Sequence, residues 1–275
     1  CGQCVYQCPF GAIVDKSFIT DVIRLIRESE NNTKYHVYAI VAPSIASQYD
    51  TLENVTTEQA VSGIRELGFH AVLEAAWGAD MVAYLEAQEL VEKGFLTSSC
   101  CPGFVDYIHK NYPDIVPEIS HNYSPMAQLG KVLKEMDPGC KTVFIGPCIA
   151  KKNELRLVRE HVDSVLTFEE LQALFDAKDI DISTLEGTML DNASYFGRIF
   201  ARVGGLSEAV AQALKEHNIS PEEFTANPII CNGLAECDKA LRAHQLGKLE
   251  NNFIEGMCCP GGCIGGPACI NHSPK

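Results

Sequence analysis

Ten of the thirteen cysteines fall into clusters: Cys1, Cys4 and Cys8; Cys100 and Cys101; Cys148; and Cys258, Cys259, Cys263 and Cys269. Cys140, Cys231 and Cys237 stand apart. An odd count in a chain of 275 residues does not read as a disulfide framework, so most of these thiols are expected to be reduced. Glycine and proline surround them in three loops: Thr97-Ser-Ser-Cys100-Cys101-Pro102-Gly103-Phe104, Gly146-Pro147-Cys148-Ile-Ala-Lys151, and Met257-Cys258-Cys259-Pro260-Gly261-Gly262-Cys263. One thiolate from each of the first two loops and two from the third make four soft ligands, the number a cubane iron–sulfur cluster needs. Glycine lets backbone approach such a cluster and aim N–H groups at sulfur. Structural zinc and inert buried thiols are the alternatives. Zinc knuckles usually pair within a short stretch, unlike loops this far apart. Packing alone gives no reason for a doubled cysteine followed by Pro-Gly.

The segment Cys1-Gly-Gln-Cys4-Val-Tyr-Gln-Cys8-Pro9 repeats the last three cysteines of the bacterial ferredoxin run C-x2-C-x2-C-x3-C-P. It predicts that the chain is a fragment lacking the start of a ferredoxin-like module, with Cys8 serving a second cluster. Zinc is the weaker reading of the same spacing.

Loops so distant must be brought together by the elements between them. Ile19, Val22, Ile23, Leu25 and Ile26 predict an amphipathic helix over 18–28 that stops in the polar stretch Ser29-Glu-Asn-Asn32. That stretch divides residues 1–32, ferredoxin-like with a connecting helix, from a main domain over 33–275. Strand-like runs at 37–41, 71–73, 142–145 and 228–231 alternate with helical runs at 58–67, 81–93, 125–135, 168–175, 208–216 and 234–246. Such alternation predicts an α/β architecture with largely parallel sheets flanked by helices, in which the first two cysteine loops follow strand ends and could converge on one cleft. A net charge of -14 without a basic stripe argues against nucleic acid. No apolar run reaches the roughly 18 residues of a membrane span, and a cytoplasmic location is expected.

In order and spacing, the three loops resemble the signature motifs of the iron-only (FeFe) hydrogenases, TSCCPxW, MPCxxKxxE and ExMxCxxGCxxGGG. The resemblance runs from the ferredoxin-like start to the third motif. It implies an H-cluster, a 4Fe-4S cubane joined through a cysteine sulfur to a two-iron unit with carbon monoxide, cyanide and a bridging dithiolate, and further 4Fe-4S clusters in the ferredoxin-like part, held by Cys1, Cys4 and Cys8. It implies Cys101, Cys148, Cys259 and Cys263 as cubane ligands, with Cys263 bridging. Lys151, Pro43 and Ser44 would contact the cyanides, and Pro125, Phe200 and Met257 would wall the open iron site. Reversible reduction of protons to H2 follows, with electrons from ferredoxin or another low-potential carrier and with maturation proteins as partners.

The same resemblance places Cys100, Glu86, Ser120 and Glu89 on a proton path, with Lys93 where the family often has arginine. From spacing alone, Glu86 and Glu89 share a helix face that reads first as a solvated one, and only the resemblance gives it a function. Gly146, Met126, Phe104, Cys258 and Pro267 depart from the family pattern, which suggests a divergent subgroup in which Met126 fills the space left at Gly146. Two other functions remain open: a hydrogenase-like sensor of H2 or redox state, and an iron–sulfur scaffold protein without the two-iron unit.

Overall fold

A computed structural model describes residues 2–49 and 55–272; Cys1 lies outside the described residues. The elements are α1 (Gln3–Tyr6), α2 (Ile19–Glu28), β1 (Val37–Val41), α3 (Thr57–Glu66), β2 (Ala71–Glu74), α4 (Ala75–Lys93), β3 (Leu96–Thr97), α5 (Pro102–Asn111), α6 (Pro125–Met136), β4 (Lys141–Gly146), α7 (Ile149–Glu154), β5 (Ser164–Thr167), α8 (Phe168–Ala177), α9 (Tyr195–Arg198), α10 (Gly205–Glu216), β6 (Pro228–Asn232), α11 (Leu234–Gln245) and β7 (Phe253–Met257). They form two parallel sheets, one ordered β2-β1-β4-β5 and the other β3-β7-β6. Helix α4 leaves the first sheet at Glu74 and delivers the chain to the second at Leu96.

The first sheet is covered on both faces by one apolar core that includes Val37, Ile40, Val143, Ile145 and Phe175. Helix α2 belongs to it: Val22 is fully buried there, with Phe18, Ile19, Leu25 and Ile26 packed alongside. The second sheet divides two smaller cores because successive strand side chains point to opposite faces. Phe253 packs with α4 and α10, whereas Ile254 packs with Phe104, Ile108 and Leu241.

Two helices begin earlier than their periodicity predicts, α4 at Ala75 instead of 81 and α10 at Gly205 instead of 208. The first turns of α4 are small residues buried on several sides, so no apolar stripe announces them. Gly78 explains why they must be small. A Cβ there would stand 2.2 Å from the Pro125 carbonyl oxygen, so glycine sets how closely α4 and α6 pack. Strands β3, β5 and β7 escape sequence patterning because every residue in them is buried and none alternates.

Candidate functional site

Strands β1 and β4 are neighbours, but β1 is followed by a strand on one side and β4 by a strand on the other. The loops leaving them therefore diverge and open a crevice, the place where open α/β sheets put ligands. Ala42-Pro43-Ser44 and Pro147-Cys148 flank it. Strands β3 and β7, paired at Thr97 and Ile254, aim their own loops at the same crevice. The result is a cavity of about 90 Å3 whose wall includes Cys100, Cys101, Cys148, Cys259, Cys263, Pro43, Pro125, Lys151, Phe200 and Met257. All ten were expected at the site from sequence. Ala42, Ala75, Ala79, Met126 and Phe144 complete much of the remaining wall.

Every wall cysteine is a free thiol. Burial pushes Cys148 up to about 11 and Cys259 up to about 12, and raises Cys100 and Cys263 as well. Cys101 goes the other way, to about 6, because Cys258 hydrogen-bonds its sulfur, with the Phe104 N–H and Lys151 adding to the effect. Four sulfurs around one enclosed space cannot all ionise without a cationic centre among them. Among the described residues no three His, Cys, Asp or Glu side chains converge closely enough for a single metal ion. The thiols ring a volume instead of a point, which suits a multi-iron cluster and not mononuclear zinc.

Lys151 is buried behind the cysteines. Its Nζ donates to Glu154 Oε2 at 2.7 Å and to the Cys100 carbonyl at 3.3 Å. Burial works against its charge, but the Glu154 carboxylate and nearby thiols outweigh it and hold the ammonium above its ordinary pKa. Glu154 is itself fixed by the Ser124 hydroxyl at 2.5 Å, one residue before Pro125. Lys152, the next residue, points away and pairs with Asp15 and with Glu170 at 2.8 Å, tying α7 to the N-terminal segment. Ser44 stands behind the wall without lining it. Its Oγ is buried and has no hydrogen-bond partner among the described residues, as a donor reserved for a ligand would be.

Glu86 is fully buried, and neither of its oxygens is hydrogen-bonded. Burial pushes its pKa up to about 8, with the nearby Ser120 hydroxyl acting in the opposite sense. Ser120 Oγ donates instead to Glu89 Oε2 at 3.3 Å. Glu89 also accepts from Asn122 Nδ2 at 2.9 Å and pairs with Lys93 at 2.7 Å, partners that outweigh its partial burial and lower its pKa. The charge of Glu86 helps to raise the Cys100 thiol, so the two groups interact, but no hydrogen bond joins them among the described residues.

Cys4 and Cys8 are not brought to the cavity. Cys4 is exposed and Cys8 half-buried, with the N–H groups of Phe10, Ala12, Ile13 and Gly11 turned to the Cys8 sulfur and lowering its pKa. Gln3 connects the two regions, donating from Nε2 to Cys259 Sγ at 3.5 Å.

The expectation that Met126 fills the space at Gly146 needs correction. A Cβ on Gly146 would lie 2.7 Å from the Phe144 ring, so that ring takes the space, while Met126 lines the cavity separately. Gly256 seats the Phe104 ring in the same manner, with 2.3 Å left for a Cβ. Glu255, the residue that opens the third motif, was given no role from the sequence. Its buried carboxylate accepts from Gly204 N at 2.7 Å, Ser207 N at 2.8 Å and Ser207 Oγ at 2.6 Å, which anchors the segment following Phe200. An acidic residue inside an apolar strand was the available signal.

A profile described as iron only hydrogenase large subunit, C-terminal domain, matches residues 35–267. Iron hydrogenase 1 of Clostridium pasteurianum is 27% identical across 97% of this chain and 55% of its own length. The periplasmic [Fe] hydrogenase large subunit of Nitratidesulfovibrio vulgaris is 27% identical across 78% of this chain and 62% of its own. The chain thus spans little more than half of these relatives. The cytosolic Fe-S cluster assembly factor NAR1 of Botryotinia fuckeliana is 34% identical, but across only 42% of this chain and 24% of its own. Among solved structures, a variant of [FeFe]-hydrogenase HydA1 from Chlamydomonas reinhardtii superposes with a TM-score of 0.76 at 22% identity, covering 94% of this chain and 86% of that one. The motif loops, the two-lobed parallel architecture and the matched span together make this chain a member of the iron-only hydrogenase large-subunit family, C-terminal domain.

Proposed function

We propose that the chain catalyses the reversible reduction of protons to H2. The observation that carries this reading is the make-up of the cavity wall. The four cysteines share it with Pro43, Pro125, Phe200, Met257 and Lys151, and the buried Ser44 hydroxyl beside Pro43 has no partner among the described residues. Four thiols alone would need no such pocket. Cys101, Cys148, Cys259 and Cys263 would hold a cubane, Cys263 also the two-iron unit; when bound, that unit supplies the centre at which two protons and two electrons combine. Lys151 offsets the negative charge of thiolates and cyanides in a low-dielectric site. Phe200, Met257 and the two prolines would keep water from the bound unit. Cys100 would hold a proton at its sulfur and pass it to or from Glu86, and Ser120 and Glu89 would carry it on to the surface.

Residues 1–32 complete the proposal as the end of a ferredoxin-like module, with Cys1, Cys4 and Cys8 as ligands of further 4Fe-4S clusters, and 33–275 as the H-cluster domain. Electrons would come from ferredoxin or a similar low-potential carrier, the two-iron unit from maturation proteins, and the setting would be an anaerobic cytoplasm. The similarity to NAR1 supports a second reading, an assembly or scaffold protein with the cubane alone.

Infrared spectroscopy of anaerobically matured protein separates the two. Carbonyl and cyanide stretching bands are expected, and their absence after maturation would favour the scaffold. In the Cys100→Ser variant the bands should persist while H2 evolution falls by roughly 10²–10⁴-fold; wild-type evolution would remove Cys100 from the proton path.

A further inference from the structure

The two oxygens of Glu89 share the His121 backbone N–H, which lies 3.3 Å from Oε1 and 3.1 Å from Oε2, and otherwise have different neighbours. Oε2 faces inward and is occupied by Ser120 Oγ at 3.3 Å, Asn122 Nδ2 at 2.9 Å and the His121 backbone N–H at 3.1 Å. Oε1 faces outward, where it lies 2.6 Å from His121 Nδ1 and 2.7 Å from Lys93 Nζ. Lys93 Nζ is also 2.6 Å from His121 Nδ1. These three atoms form a triangle that one tautomer cannot satisfy. With a proton on Nδ1, the imidazole donates to Glu89 and cannot accept from the ammonium. With the proton on Nε2, Nδ1 accepts from Lys93 and offers Glu89 nothing.

From this geometry we infer that His121 is the proton-exchanging residue at the outer end of the path, alternating between Lys93 and Glu89. The inference rests on the proton path proposed above. The His121 side chain is 67% exposed, and its Nε2 has no hydrogen-bond partner among the described residues, so Nε2 is open to water and buffer. In the Nδ1–H tautomer Nε2 takes a proton from a buffer acid and the ring becomes imidazolium. The Nδ1 proton then passes to Glu89 Oε1, leaving a neutral ring protonated at Nε2, whose Nδ1 turns to Lys93. Exchange with water restores the first tautomer, so one proton enters and one leaves in each cycle. The reverse sequence expels protons during H2 oxidation. Lys93 sets the direction of reset: its ammonium gives the emptied Nδ1 a donor and keeps Oε1 ready as an anion between transfers.

The test uses matured protein in dilute buffer. His121→Ala should lower H2 evolution by roughly 10- to 100-fold, and 4-methylimidazole added to the buffer should restore much of the loss. Wild-type turnover in dilute buffer, or a loss that the imidazole does not relieve, would overturn the inference. Cys100→Ser distinguishes this from failure of the path itself, since a collapse there beside an unaffected His121→Ala retains the path and discards the histidine. A readout independent of turnover comes from nitrogen-15 NMR of unloaded protein. Glu89→Gln should shift the His121 tautomer toward Nε2–H, and an unchanged tautomer would also count against the role.

Discussion

The two sheets reach the cavity with different chemistry. From the first come Pro43, Ser44, Cys148 and Lys151, that is, one thiol, one buried ammonium and a hydroxyl without a partner. Loops of the second supply Cys101, Cys259 and Cys263, three of the four proposed cubane ligands, together with the proposed relay thiol Cys100 and the wall residue Met257. Their scaffolds differ as well. The first sheet has four strands around one continuous core, whereas the second has three, one of them only two residues long, and separates two small cores. Neither lobe has a complete site. Sulfur is concentrated on the slighter scaffold and compensating charge on the sturdier one, so a bound cluster would draw the two together across the crevice.

Removing the single thiol of the first lobe should break this arrangement most severely. In Cys148→Ala the iron belonging to the cubane is expected to fall to about zero per chain after anaerobic reconstitution, measured by metal analysis and by the charge-transfer absorption of the cluster. Retention of the full cluster would mean that the second lobe holds it unaided.

A smaller effect should sharpen the contrast between the enclosed cavity and the surface. Glu86 has a folded-state pKa of about 8, above the ordinary glutamate value of 4.5, so between those values the folded chain binds more protons than the unfolded one. Its contribution is fully present below pH 4.5 and is lost as pH rises through 8, on the order of 5 kcal/mol across that window. Denaturant titrations of unloaded protein should therefore show stability decreasing from pH 5 to about 8, and Glu86→Gln should flatten that slope. An equal slope in the variant would assign the effect to other groups.

The smallest change tests the seam between the lobes. Gly78→Ala forces a methyl against the Pro125 carbonyl and should cost about 1–3 kcal/mol, read as a lowered Tm. An unchanged Tm would show that α4 and α6 separate easily.

The meeting of the cysteine loops was legible from residue types because thiols flanked by glycine and proline have few other uses, whereas Pro43, Pro125, Lys151, Phe200 and Met257 were reached only through the family resemblance. Strands that alternate with helices were legible for a similar reason, as with β1 and β4. The rest depended on contacts that a linear pattern does not carry. Phe144 is a strand residue like its neighbours until the fold turns its ring into the space beside Gly146. Ala75 and Ala79 look featureless because small size is their contribution. His121 gained meaning only when a loop far along the chain was laid against α4, and the sequence shows no spacing that would single it out. Glu255 was visible as an anomaly, but its partners at Gly204 and Ser207 were not.

Helix α4 is the longest helix among the described residues, and its two ends do different work: Ala75 and Ala79 touch the cavity, while Glu86 and Glu89 face the way out. Each residue advances a helix by about 1.5 Å and turns it by about 100°. A single insertion between Ala79 and Glu86 would swing both carboxylates out of line with Cys100 and Ser120, though every amino acid concerned were still present. Surface loops elsewhere in this protein are free to lengthen or shorten, but this stretch has to keep its count.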